Sequence, residues 1–110
     1  MNVILKAPGE NAVEEEIIFS VDFFKEYFEN KPTSATILPF LNIMVHYVDG
    51  EVKPNISLFG IYFFGKVLIT GVCPNGAPCS LNNGDSAFIK RYLKSELTKP
   101  KVKGPTICEY

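Results

Sequence analysis

The sequence predicts an α+β domain of two layers, an antiparallel sheet with two helices packed on one of its faces. Three observations carry that expectation. Ile56 to Gly71 holds two β-rich runs around Gly65, Thr36 to Val48 is long, apolar and β-branched, and two helix-periodic segments, 21–30 and 85–97, bracket these runs. The links between the strands are too short for parallel crossovers, so the strands should form a meander.

Taken in order, Asn2 to Lys6 is a short strand closed by the turn Ala7-Pro8-Gly9. Glu14 to Phe19 is either a second strand or the lead-in to a helix that Ser20 can cap, with Asp22 placed at its positive end. Phe23, Phe24, Tyr27 and Phe28 give the helix 21–30 an aromatic inner face, and Asn30 and Pro32 mark its end. Thr36 to Val48 reads as one strand, with Leu38, Phe40, Asn42, Met44 and His46 on one face and Pro39 as an edge or bulge signal. Asp49-Gly50 turns the chain.

In the run that follows, Phe63, Phe64 and Gly65 fit a three-residue hairpin loop with glycine at positive φ, so Tyr62 should pair with Lys66. The two-residue period then puts Ile56, Leu58, Tyr62, Lys66, Leu68 and Thr70 on one face and Phe59, Ile61, Phe63, Val67 and Ile69 on the other. The second set reads as core. The first mixes apolar groups with a lysine, a tyrosine and a threonine, as expected of a face that meets something other than the chain's own helices. Residues 74–83 are loop, and Gly84 or Asp85 should cap a final helix through Leu97 whose inward face is Phe88, Tyr92 and Leu93 or Leu97.

With 110 residues, 46% of them hydrophobic, the chain fills one domain, expected over 1–98, followed by a basic tail over 99–110. No apolar run approaches the ~20 residues of a membrane helix, and the N-terminus has no secretory pattern, so a soluble intracellular protein without a membrane partner is expected. Asn55-Ile56-Ser57 matches a glycosylation acceptor by chance inside a strand. Net charge is −1 but segregated. Acidic residues dominate 1–30, whereas Lys90, Arg91, Lys94, Lys99, Lys101 and Lys103 form a basic helix and tail that could face phosphates or simply solvent.

Cys73, Cys79 and Cys108 are too few and wrongly spaced for a zinc site, and the sole histidine, His46, lies in a strand. Cys73 and Cys79 flank a loop and could pair if oxidised. No nucleophile, base and acid constellation, phosphate-binding loop or paired carboxylates can be read, so neither catalysis, cofactor nor metal is expected.

The strand Gly65-Lys66-Val67-Leu68-Ile69-Thr70-Gly71, with an aromatic ending the strand before it, resembles the Gly-Lys-Val-Val-Leu-Thr-Gly strand of the TATA-binding protein family. Divergent forms of that family occur in large DNA viruses. The resemblance covers roughly 36–97, and 13–35 by element order only. It implies a curved half-saddle, intracellular work in the nucleus or at a viral replication site, and a transcription-associated module that grips the DNA minor groove. Position by position, it sets Tyr62 and Phe40 as base-step wedges, Lys66 on phosphate, Leu68 and Thr70 in the groove, and His46 where the family has an arginine. One repeat stands where the family has two, so a homodimer or a second half-saddle protein is implied. Phe63, Phe64 and Gly60 depart from the family pattern. The alternative, which the acidic N-terminal third suits better, is a small non-enzymatic effector or adaptor that binds a protein through its exposed aromatic sheet face and the Phe63-Phe64 tip.

Overall fold

A computed structural model describes residues 1–38 and 42–98, with side chains as far as residue 93. The chain is α+β and its sheet is antiparallel throughout, as expected. Ten elements follow one another: β1 (Asn2–Lys6), β2 (Val13–Glu16), α1 (Val21–Tyr27), β3 (Thr33–Leu38), β4 (Ile43–Val48), β5 (Pro54–Leu58), β6 (Ile61–Phe64), β7 (Val67–Val72), β8 (Pro78–Cys79) and α2 (Asn83–Thr98). The main sheet runs β2-β1-β7-β4-β3, with β8 also on β7, while β5 and β6 form a separate two-stranded sheet. This is not a meander. β7 returns between β1 and β4, and both partners come from earlier in the chain.

The expected strand 36–48 is two strands, β3 and β4, paired from Thr33↔Val48 to Leu38↔Ile43. Both are rich in β-branched and apolar residues, so the run reads as continuous, and Pro39, an edge or bulge signal, is the one sign of an interruption between them. The expected 63–65 hairpin is also displaced. Leu58 pairs with Ile61 and Ser57 with Tyr62, so the turn is Phe59-Gly60, whose φ values of +50° and +87° are those of a type I′ turn. A phenylalanine at the first turn position hid it, because that position favours Asn, Asp or Gly. Gly65, at φ +76°, instead lets the chain leave the small sheet for the large one. A three-residue glycine loop does occur further on, at Pro74-Asn75-Gly76. There the Gly76 N–H donates to the Cys73 carbonyl (2.8 Å) and the Cys73 N–H to the Ala77 carbonyl (2.7 Å).

α1 begins as expected, the Phe23 N–H donating to Ser20 Oγ at 3.1 Å, but it ends at Tyr27, and Glu29 and Asn30 take left-handed φ values of +57° and +63°. α2 is capped one turn earlier than expected. Asn82 Oδ1 accepts the Asp85 N–H at 2.7 Å, and the Asn82 amide returns a bond to the Asp85 carboxylate.

The two helices lie on opposite faces of the sheet, which corrects the expectation that they share one. Val3, Val48 and Leu68 pack with Phe28 and, around them, Phe19, Phe23, Phe24 and Tyr27, so α1 covers the face carrying the even-numbered residues of β7. Ile4, Ile43, Val45, Val67 and Ile69 pack instead with Ile56, Leu58 and Phe63 of the small hairpin and with Ile89 and Leu93 of α2. The inward face of α2 is therefore Ile89 and Leu93, with the expected Tyr92 half-buried against the same core, while Phe88 points outward at 45% exposure. The side chain of Leu97 and the basic tail 99–110 lie outside the described residues.

Gly71 pairs with Ile43 on one side and Cys79 on the other, and a Cβ there would stand 2.7 Å from the Ser80 carbonyl oxygen. Backbone held by β8 cannot step aside as a flexible side chain can. Gly71→Ala should therefore destabilise the domain by about 1–3 kcal/mol, the usual cost of forcing an extra carbon into a packed site, read as a lower urea midpoint with an unchanged slope.

Candidate functional site

The residues expected to form an open groove face are not brought together on any surface. Leu68 and Thr70 have no exposed area and lie in the α1-covered layer. His46 is 5% exposed, its Nε2 is 3.1 Å from Thr70 Oγ1, and the rings of Phe19 and Phe24 close over it with centroids at 6.1 and 5.3 Å. Burial lowers its pKa to about 4, so it is neutral at pH 7 and carries no charge with which to replace an arginine. Phe40 lies outside the described residues.

Lys66 is occupied within the chain. Its Nζ donates to the Tyr27 carbonyl at 3.2 Å and to Glu29 Oε2 at 3.3 Å, and it lies 5.2 Å from the Tyr27 ring centroid. The Tyr27 hydroxyl donates to the Val67 carbonyl at 3.0 Å, and burial raises the phenol pKa to about 12. Together these contacts fasten the end of α1 to the start of β7. Tyr62 belongs to the small sheet opposite Ser57, and it shares no strand ladder with Lys66. Phe63 is buried with its ring centroid 5.5 Å from that of Tyr47, so the pair Phe63-Phe64 is not an exposed tip.

The basic character of α2 is partly spent as well, since Lys90 Nζ bonds Glu14 Oε1 at 2.7 Å. Hydrogen bonds from Asn2 and Lys90 pull the Glu14 carboxyl down to about 2. Cys73 and Cys79 are free thiols, and a hydrogen bond to Cys73, reinforced by burial, raises the Cys79 pKa. Among the described residues, no three His, Cys, Asp or Glu side chains converge as metal ligands, and no helix is long and apolar enough to cross a membrane.

What the fold does assemble at the surface is an aromatic ridge that sequence reasoning missed. The β5–β6 turn is laid on α2, so that the Phe59 ring stacks on Tyr92 (4.9 Å, 10° between planes) and Phe88 lies beside both, its centroid 6.4 Å from each. The Phe59 N–H donates to the Tyr92 hydroxyl at 3.3 Å. Phe59, Phe88, Ile61 and Tyr62 each keep 39–45% of their surface exposed. The signal was present in Phe59-Gly60, but the period assigned to a longer hairpin placed Phe59 in the core.

No family model, curated protein or solved structure matches the chain. The likeness to the TATA-binding family therefore rests on the sequence pattern alone.

A histidine held neutral by burial makes stability depend on pH. Its folded pKa of about 4 lies below its ordinary 6.5, so the unfolded chain takes up the proton first. Stability should then be greatest above pH 6.5, fall by about 3 kcal/mol towards pH 4, and gain no further loss from this group below that. The lowered Glu14 acts in the same direction in a more acidic window, from 4.5 down to about 2. Urea midpoints measured from pH 7.5 to 4 should show the upper transition, and His46→Gln should remove it.

Proposed function

We propose that this chain is a non-catalytic adaptor that docks a partner protein through the Phe59, Phe88 and Tyr92 ridge, with Ile61 and Tyr62 at its margin. The observation that carries the reading is Phe59 itself. A bulky side chain at φ +50° costs on the order of 1–3 kcal/mol, and an asparagine would occupy the same turn position with little strain. The strained residue is also one of the most exposed aromatics in the domain. Strain kept at an exposed apolar group fits a surface used for recognition, because flat aromatic rings supply the buried anchors of protein interfaces.

The minor-groove reading requires an uncovered Leu68 and Thr70 face together with an available Lys66 charge. With α1 over the first and Glu29 beside the second, protein docking is the better supported of the two.

The test separates anchoring from folding. Phe59→Asn relieves backbone strain while losing a stacking contact of about 0.5–1.5 kcal/mol, so the thermal midpoint should stay near that of the wild type. Phe88→Ser should likewise be tolerated. Quantitative affinity capture with all three proteins should retain a common partner on wild type alone, and titration of the purified partner should show at least a tenfold weakening for each variant. Equal retention by all three would remove the proposal. So would saturable binding of wild type to duplex DNA at ~50 mM salt, combined with insensitivity to either substitution.

A further inference from the structure

The two edges of the main sheet are built differently. At one edge, β2 carries three consecutive carboxylates, Glu14, Glu15 and Glu16. Lys90 pairs Glu14 and the N-terminal ammonium pairs Glu16, but the strand remains a heavily charged edge that disfavours addition of another strand. At the other, β3 is Thr-Ser-Ala-Thr-Ile-Leu, with no charge, no proline and, among the described residues, no strand on its outer side. The charged groups nearest to it have partners within the chain. Lys31 lies 3.1 Å from Glu51 and 3.9 Å from Glu29, and Asp49 accepts the Ser34 hydroxyl at 2.6 Å.

The side chains of β3 point to the same conclusion. Thr33, Ala35 and Ile37 lie opposite Val48, His46 and Met44, and so share the α1 face of the sheet. α1 stops short of them, leaving all three exposed, Ile37 at 44%. A largely apolar groove lined by Phe19, Val21, Phe24, Pro32 and His46, and also by Lys25 and Lys31, lies between α1 and this strand. An uncharged edge and an exposed isoleucine beside an apolar groove form one continuous unprotected rim.

We propose that a second copy of the chain pairs at this edge, β3 against β3 in antiparallel register about a two-fold axis at Ala35. Antiparallel partners keep their faces only when residues of like parity oppose each other. The register Ala35↔Ala35 meets this condition and sets Thr33 against Ile37, a methyl-bearing partner for each exposed isoleucine. Small residues sit at the axis, where the strands approach most closely. The β2 glutamates prevent the sheet from growing at its other edge, so pairing stops at two copies and is closed by symmetry. This interface is separate from the aromatic ridge on the β5–β6 turn and α2, and leaves that ridge available.

Sedimentation of wild type at roughly 10–100 µM, where a micromolar Kd populates the associated state, should show a reversible dimer. Ala35→Lys, at an exposed position facing its own copy, should yield a monomer with unchanged circular dichroism, while Glu15→Lys on the opposite edge leaves the dimer intact. Because directly opposed Cα atoms in antiparallel strands lie about 4.5–5.5 Å apart, within the range of a disulfide, Ala35→Cys should cross-link on mild oxidation. Peptide mapping should then find the two introduced thiols joined. A wild-type monomer across the concentration range would overturn the assignment. A dimer that persists in Ala35→Lys, or one that Phe88→Ser dissolves instead, would overturn it equally.

Discussion

Strand β7 constrains the rest of the structure. Val67, Leu68, Ile69 and Thr70 are all fully buried, so the strand is apolar on both faces and cannot border water on either. Burying such a strand contributes roughly 1.5–3 kcal/mol for each of its large side chains, but only if both faces are covered. The chain meets this condition with two unlike covers, the aromatic helix α1 over Leu68 and the β5–β6 hairpin with α2 over Val67 and Ile69. Insertion of β7 between β1 and β4 follows from the same need, since a strand buried on both faces belongs at the centre of its sheet rather than at an edge.

Polar groups fix the covers in position where apolar packing alone would let them slide. Asn55 donates to the carbonyls of Lys6 and Gly65 at 2.8 and 2.6 Å and accepts from Lys6 Nζ at 2.9 Å, joining the small sheet to β1 and to the start of β7. The side-chain amide of the apparent glycosylation acceptor is thus spent on backbone. Lys6 is itself buried, and desolvation lowers its pKa, opposed by the charge of Glu10. On the other face, Tyr27 and Lys66 make the corresponding clamp. Each clamp satisfies groups that would cost about 1–3 kcal/mol if buried without partners, which sets one register for each cover.

The surface left by this arrangement is uneven. Charges of α2 and β2 meet across Glu14 and Lys90, and the lysine at the base of β7 is paired, so part of the charged surface is engaged within the chain. Apolar exposure is spread more widely, with Ile18, Val21 and Val52 the most exposed of the described large apolar residues, and it includes the strained turn on α2 and the β3 rim. Those two places are the ones proposed to meet a partner protein and a second copy.

The sequence by itself determined the α+β class, strands β1 and β7, both helices, the Ser20 cap and the aromatic face of α1, because local spacing and capping chemistry are local properties. In the same pattern β3 runs into β4, β5 runs into β6, and β8 reads as loop. It also marked Phe63, Val67 and Ile69 as core. It did not determine which strands pair. Period-2 alternation tells which residues share a face within one strand, and that inference passed from Tyr62 to Lys66 only on the assumption of a hairpin that does not form. Once β6 and β7 belong to different sheets, Leu68 and Thr70 have no fixed relation to Tyr62, and the apparent open face dissolves into a buried layer and a separate edge. The tertiary structure decided that point and, with it, the candidate site. Phe59, Phe88 and Tyr92 lie 33 residues apart at their extremes, and only the packing of the β5–β6 turn on α2 stacks them.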